Sequence, residues 1–504
     1  MSRSKSRVAA GVAAHLYSQG VTIVTQLATL PIFLARWSTE QYGQWIMLSA
    51  IPIYLTVADF GIATAGGNMM SMHKARGEIA EMNRVFHSSI FIIIVMVPLL
   101  AVSTVTPLLI FGFGLNLDQR VALAALILSS LLSVACGLFD CAYRPFGKYP
   151  KVTWLLSTTR VVDWIGTIGG IYIGGSLSSA AIGVLCGRVF SCIALFLFAL
   201  KDVPELQWNL KQADGKLIKH LIRSGIGFLS FPIGNMLTLQ GMVVLVGAQL
   251  GGGAVALFNT SRTLTRLLAQ LAILTGKSMA PEISSLYGAG KEPEGDILIK
   301  QLLWTILPLT LVGGIALEFL GPMIIDHWSR GKLVFDRAIF TWLVAGAICA
   351  GYWQIRSTKL TATNRHSLLA TMFLIVSAGA LLVAYLTEKA FGIVSAAAAS
   401  CLVEVLMVLC TTWALARLKW RKAPLRTVPS PERRNAAVLN HIFHDYKLTY
   451  TGNLTYTFDF WFWLFSPRIA TGVSQSVLDG LGTLGGTCLF RLFEEFQFDC
   501  HSRE

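Results

Sequence analysis

FHSSIFIIIVMVPLLAVSTVTPLLIFG, residues 86–112, decides how the rest of the chain is read. It holds no Asp, Glu, Lys or Arg, and it is longer than the roughly 20 apolar residues that cross a bilayer. Comparable runs recur from residue 9 to residue 416. Of the 504 residues, 54% are hydrophobic and only 13% are charged, and the mean hydropathy is +0.61. Soluble domains carry roughly a quarter of their residues as charged side chains. One water-surrounded core does not hide this much apolar surface, so the main solvent is lipid. A soluble enzyme, a nucleic-acid-binding domain and a secreted disulfide scaffold are disfavoured together.

Apolar runs near 9–34, 42–65, 86–112, 121–141, 152–173, 178–200, 224–249, 254–276, 301–325, 338–358, 367–387 and 391–416 predict about twelve transmembrane helices. The connections alternate in charge. Beginning with Arg3, Lys5 and Arg7, one side collects 19 Lys and Arg, while the other holds only Arg36, Arg120, Arg330, Lys332, Arg337 and Lys389. This bias predicts a multi-pass protein of the bacterial inner membrane with both termini in the cytoplasm. It also accounts for the net charge of +14 without a nucleic-acid partner.

The longest inner link divides the spans into two sets of six, giving an all-α membrane protein with two lobes around a central cavity. The lobes are expected at 1–200 and 224–416, with the linker at 201–223 and a cytoplasmic tail at 417–504. In the linker, Leu217, Ile218, Leu221 and Ile222 share a helical face flanked by Lys216, Lys219 and Arg223, which predicts a short helix lying on the inner leaflet. Residues 34–45 align without gaps against 247–258, a weak sign of two repeats in the same orientation. Nine cysteines form no C-x-x-C pair, so no structural disulfide and no metal centre is expected. Leu271 stands where a Walker loop ending at Gly276-Lys277-Ser278 requires its first glycine, so ATP hydrolysis is not expected either.

Ionisable groups inside spans face a bundle interior or a wet cavity. Here they are Asp59, Arg160, Asp163, Arg188, Arg262, Arg266, Glu318, Arg356 and Glu404. Helical spacing gathers Asn259, Arg262, Arg266 and Gln270 into one polar stripe, and Gln19, Thr22 and Gln26 into another. In the second span Trp45, Ser49, Pro52, Thr56 and Asp59 form a third stripe in the same way. Together they predict a hydrated space between the lobes. Its arginines suit an anion, above all a phosphate. Arg160 and Asp163, three residues apart, are expected to pair with each other. Gly166, Gly170 and Gly174 read as close helix packing.

The first two spans also carry Tyr17-Ser18-Gln19, Gln26, Pro31-Ile32-Phe33-Leu34, Tyr42-Gly43-Gln44-Trp45 and Asp59-Phe60-Gly61-Ile62 in one order. This resembles the polysaccharide-transport branch, with its Wzx-type O-antigen flippases, of the multidrug/oligosaccharidyl-lipid/polysaccharide exporter superfamily. The resemblance covers residues 9–416. It implies alternating access, no cofactor, and an undecaprenyl-diphosphate-linked oligosaccharide moved from the inner to the outer leaflet for O-antigen, capsule or exopolysaccharide. A polysaccharide polymerase and chain-length machinery are the implied partners, alongside membrane lipids. Arg262, Arg266, Asn259, Gln270, Gln19, Gln26, Arg188 and Arg356 are the expected cavity residues. Asp59, Glu318 and Glu404 are expected in ion coupling (Na+ or H+) or interlobe contacts. The alternatives are a drug exporter of the same superfamily, a membrane polysaccharide polymerase or ligase, and a peptidoglycan-precursor flippase.

Overall fold

The computed structural model describes residues 2–420 apart from 60, 211, 227–228 and 364–365. The chain divides into two compact units, Met1–Lys422 and Ala423–Glu504, and only the first is described below. The expected tail lies outside the described residues from 421 onward.

Helix α1 is Ser2–Leu34. The second span is broken into α2 (Thr39–Ala50), a 3-10 stretch (Ile51–Asp59) and α3 (Ile62–Ala75). The first lobe is completed by α4 (Ile79–Phe111), α5 (Leu117–Tyr143), α6 (Tyr149–Gly174) and α7 (Leu177–Asp202). The link contains α8 (Gly215–Ile226). The seventh span is α9 (Ser230–Met236), a π-helical turn (Leu237–Gly241) and α10 (Met242–Leu250). The second lobe continues with α11 (Gly252–Gly288), α12 (Glu292–Ser329), α13 (Arg337–Ala362), α14 (Ser367–Phe391) and α15 (Ile393–Trp420).

Among the described residues, eight segments are both long and apolar enough to cross a membrane. The spans outside that set are α1, α2–α3, α6 and α11. These carry the glutamine and arginine stripes, so polar composition marks the helices that turn a side inward rather than to lipid. Each lobe is a bundle of its own: α1, α5, α6 and α7 pack together in the first, and α11, α13, α14 and α15 in the second.

Helices α6 and α7 meet through glycines, because the backbone itself is the contact. A Cβ on Gly166 would lie 2.3 Å from the Gly183 carbonyl oxygen, and one on Gly183 would lie 2.0 Å from that of Gly166. Helix α8 departs from expectation. Leu221 is fully buried, and Leu217, Ile218 and Ile222 pack against the first lobe's core beside α3 and α4. The apolar face therefore covers protein instead of lipid. Buried polar pairs hold the preceding link to α4: the Gln207 backbone amide donates to Asn83 (3.1 Å) and the Asp214 amide to Ser88 (3.2 Å).

The two turns at 35–38 and 251 lie at one end of the bundle, here the turn end, where the lobes meet. Ser38 caps α2 with its own hydroxyl, accepting from the Gln41 amide at 3.1 Å. In the ungapped alignment Gly251 stands opposite Ser38 and is the N-cap of α11, but it has no side chain to offer. The missing cap comes from the other lobe. Glu40 accepts the Gly252 amide at 3.0 Å and the Gly253 amide at 2.7 Å, placing a carboxylate on the positive end of α11. Reciprocally, the Lys332 ammonium of the second lobe donates to the Leu34 and Trp37 carbonyls at 2.6 and 3.1 Å, where α1 ends. Gly43 allows this approach, since a Cβ there would fall 1.7 Å from the Gly252 carbonyl oxygen.

Candidate substrate crevice

The candidate crevice follows α1 and α11, which run in opposite directions on facing sides of the lobe boundary. There the Gln270 side-chain amide donates to Gln26 Oε1 at 3.4 Å, joining the two helices. On α11, Arg266 lies one turn from Gln270 toward the turn end and is half-buried. Arg262, a further turn on, is only 8% exposed. It donates to the Leu239 carbonyl at 2.7 Å and to Asn259 Oδ1 at 2.9 Å, with its guanidinium over the Phe258 ring at 5.1 Å. Leu239 belongs to the π-helical turn, and Arg262 reaches its carbonyl from the neighbouring helix. Both partners are neutral, so hydrogen bonding is satisfied while the positive charge stays uncompensated.

The second lobe does contain an acid near this stripe. Glu404 of α15 interacts electrostatically with Arg266 and accepts the Trp353 indole N–H at 2.5 Å. The arrangement is two guanidiniums and one carboxylate, a net cationic wall able to hold an anion through directed N–H donors.

Other expected site residues have separate positions. Arg188 forms an ion pair with Asp163 at 2.5 Å between α7 and α6, both side chains largely buried. It is engaged inside the first lobe, not with the α11 stripe. The expected pairing of Arg160 with Asp163 is likewise replaced: Arg160 turns to α1 and donates to Ser18 (2.6 Å), Thr22 (3.0 Å) and Ser157 (3.1 Å). Interhelix register brought Arg188 within reach of Asp163. Arg356 donates to the Tyr352 hydroxyl of its own helix at 2.6 Å. Glu318 is half-buried on α12, with one carboxylate oxygen shielded and without a hydrogen-bond partner. Gln19 is half-buried on the same face of α1 as Thr22 and Gln26. The Asp59 side chain lies outside the described residues.

The third stripe does not form. Residues 51–59 wind with 3-10 periodicity, which breaks the α-helical spacing that aligned Trp45 with Thr56. Trp45 instead joins Phe33, Trp37 and Tyr42 in an aromatic core, its ring centroid 5.8 Å from that of Trp37. No group of three or more His, Cys, Asp or Glu able to hold a metal ion occurs among the described residues.

No family model matches the sequence, and no curated protein matches it. The fold does have relatives. An inward-facing multidrug resistance MATE family transporter of the MOP superfamily superposes with a TM-score of 0.69 at 12% identity, covering 79% of this chain and 96% of that one. The lipid II flippase MurJ in an inward closed conformation gives 0.63 at 14% identity, covering 80% and 87%. An outward-facing MATE transporter gives 0.55 at 12% identity, covering 83% and 96%. This chain is a multi-pass membrane protein with the two-lobed, roughly twelve-helix fold of MOP-superfamily transporters.

Proposed function

We propose that the protein is a flippase for an undecaprenyl-diphosphate-linked oligosaccharide, carrying it from the inner to the outer leaflet of the bacterial inner membrane for surface polysaccharide assembly. The single observation carrying this reading is the Arg262–Arg266 stripe on the lobe boundary. Arg266 is the direct ligand for the diphosphate. Arg262, locked by neutral acceptors, adds an uncompensated charge behind it. Gln26, Gln270 and Asn259 offer amide groups to sugar hydroxyls, and the prenyl chain stays in lipid between the lobes. The glutamines replace part of the water that the cargo sheds, which lowers the barrier to moving a polar headgroup through the bilayer.

Contact at the turn end supports an alternating-access cycle in which the crevice opens first toward the termini. With the charge bias placing the termini in the cytoplasm, that opening receives cargo from the inner leaflet. The cationic wall favours this cargo over the cationic solutes of a drug exporter. The short connections on the side opposite the termini leave no domain there for a polymerase or ligase.

The test is surface-glycan display in cells carrying Arg262→Ala or Arg266→Ala, with membrane abundance measured in parallel. Each variant should abolish display while the protein remains in the membrane. Normal display from both would overturn the assignment. Accumulation of lipid-linked oligosaccharide on the inner face would separate a flipping defect from a polymerisation defect.

A further inference from the structure

We infer that Arg160 forms a second anion-binding position in the crevice, nearer the termini, where a phosphoryl group is held before it reaches Arg266. The inference rests on the flippase reading for the source of the phosphoryl group, while the position itself rests on geometry.

Thr22 lies three residues after Gln19 and four before Gln26, so the three share one face of α1. Gln26 meets Gln270 of the other lobe, which orients that face toward the crevice. Arg160 donates to Thr22 on that face and is itself exposed, which leaves its guanidinium accessible beside the glutamine stripe. The opposite side of α1 carries the exposed apolar side chains Leu16, Val24 and Leu27. The register also gives the order along the crevice. From Gln26–Gln270, Arg266 lies one turn toward the turn end and Arg160 about one turn toward the termini. Their axial separation is therefore roughly 10–12 Å.

The charge around Arg160 is unbalanced. Its three partners are neutral hydroxyls, of Ser18, Thr22 and Ser157. The neighbouring carboxylate, Asp163, is taken by Arg188 at 2.5 Å, and Arg188 acts on Arg160 as a like charge. Two guanidiniums against one carboxylate leave net positive charge beside the polar face of α1. A phosphoryl oxygen suits the remaining N–H donors of the guanidinium, since the Thr22 and Ser157 hydroxyls already donate to the Ser18 and Thr153 carbonyls. A link serving only to pin α1 to α6 would need neither the exposure nor the surplus charge.

The probe is sodium pyrophosphate, titrated calorimetrically into the purified full chain at low ionic strength. The wild type should take up two equivalents. Arg160→Gln should take up one, its second affinity falling at least tenfold, while Arg160→Lys should retain two. Replacing Ser18 by Ala together with Thr22 by Val removes the link to α1 but keeps the charge, and should also retain two. One equivalent in the wild type, or two in Arg160→Gln, would overturn the second position, as would equal loss in the Ser18/Thr22 variant and Arg160→Gln. Arg266→Gln tests the other assignment separately. If it leaves both equivalents intact while Arg160→Gln removes one, the flippase reading loses its central ligand and the Arg160 position stands.

Discussion

Glu40 is a carboxylate lent by one lobe to the uncapped helix of the other, and removing its charge should open the turn end. In Glu40→Gln the side chain keeps its length and one oxygen, but its amide group meets a backbone N–H donor. A charge at a helix N-terminus contributes about 0.3–1 kcal/mol when exposed, and up to about 2 kcal/mol when partly buried. Hydrogen bonds to charged groups contribute about 1.5–3 kcal/mol, against about 1 kcal/mol for neutral ones. Glu40 is partly solvated, so the net loss is taken as about 1–2 kcal/mol after screening. That shifts the closed-to-open ratio by roughly 5- to 30-fold. Lys332→Met removes the reciprocal contact with α1, and the two together should shift it on the order of a hundredfold if they act independently. Spin labels at Leu117 and Val334, 74% and 85% exposed and in opposite lobes, report the separation by pulsed dipolar spectroscopy. The longer-distance population should grow in Glu40→Gln and grow further in the double variant. A double variant with the wild-type distance distribution would refute the latch.

Other perturbations test the packing that keeps each lobe rigid. Arg188→Ala leaves Asp163 buried without its partner and should cost about 3–5 kcal/mol, read as a lowered melting temperature in detergent; adding Asp163→Asn should recover most of it. Gly183→Val drives side-chain atoms into the Gly166 carbonyl and should destabilise the α6–α7 pair by about 1–3 kcal/mol or more. Leu221→Ala exposes a gap beneath α8 and should cost about 2–5 kcal/mol if the helix is docked on protein, with faster proteolysis of the 203–214 link. A helix bound only to the leaflet would leave the melting temperature unchanged.

The spans and the two sets of six were legible because hydropathy is a local property. The bilayer sets the same minimum apolar length for every span, so a run such as 86–112 declares itself without reference to its neighbours. The polar stripe of α11 and that of α1 were legible too, since both helices keep α-helical periodicity through the membrane. The stripe proposed for the second span failed where Ile51–Asp59 tightens to 3-10 winding, a change of period that its residue types do not announce.

Partner choice belonged to the tertiary structure. Asp163 had a basic neighbour three residues away in Arg160, yet it bonds Arg188 of another helix, because the glycine contact fixes the register of α6 against α7. The apolar face of α8 was certain from the spacing of Leu217, Ile218, Leu221 and Ile222. Whether lipid or protein would cover it was not, since both are equally apolar. Glu40 gave no sequence sign of capping a helix more than two hundred residues away. Sequence fixes which groups must leave lipid, because that cost is paid residue by residue; only the packed bundle decides which partner each one finds, because that depends on distances between helices.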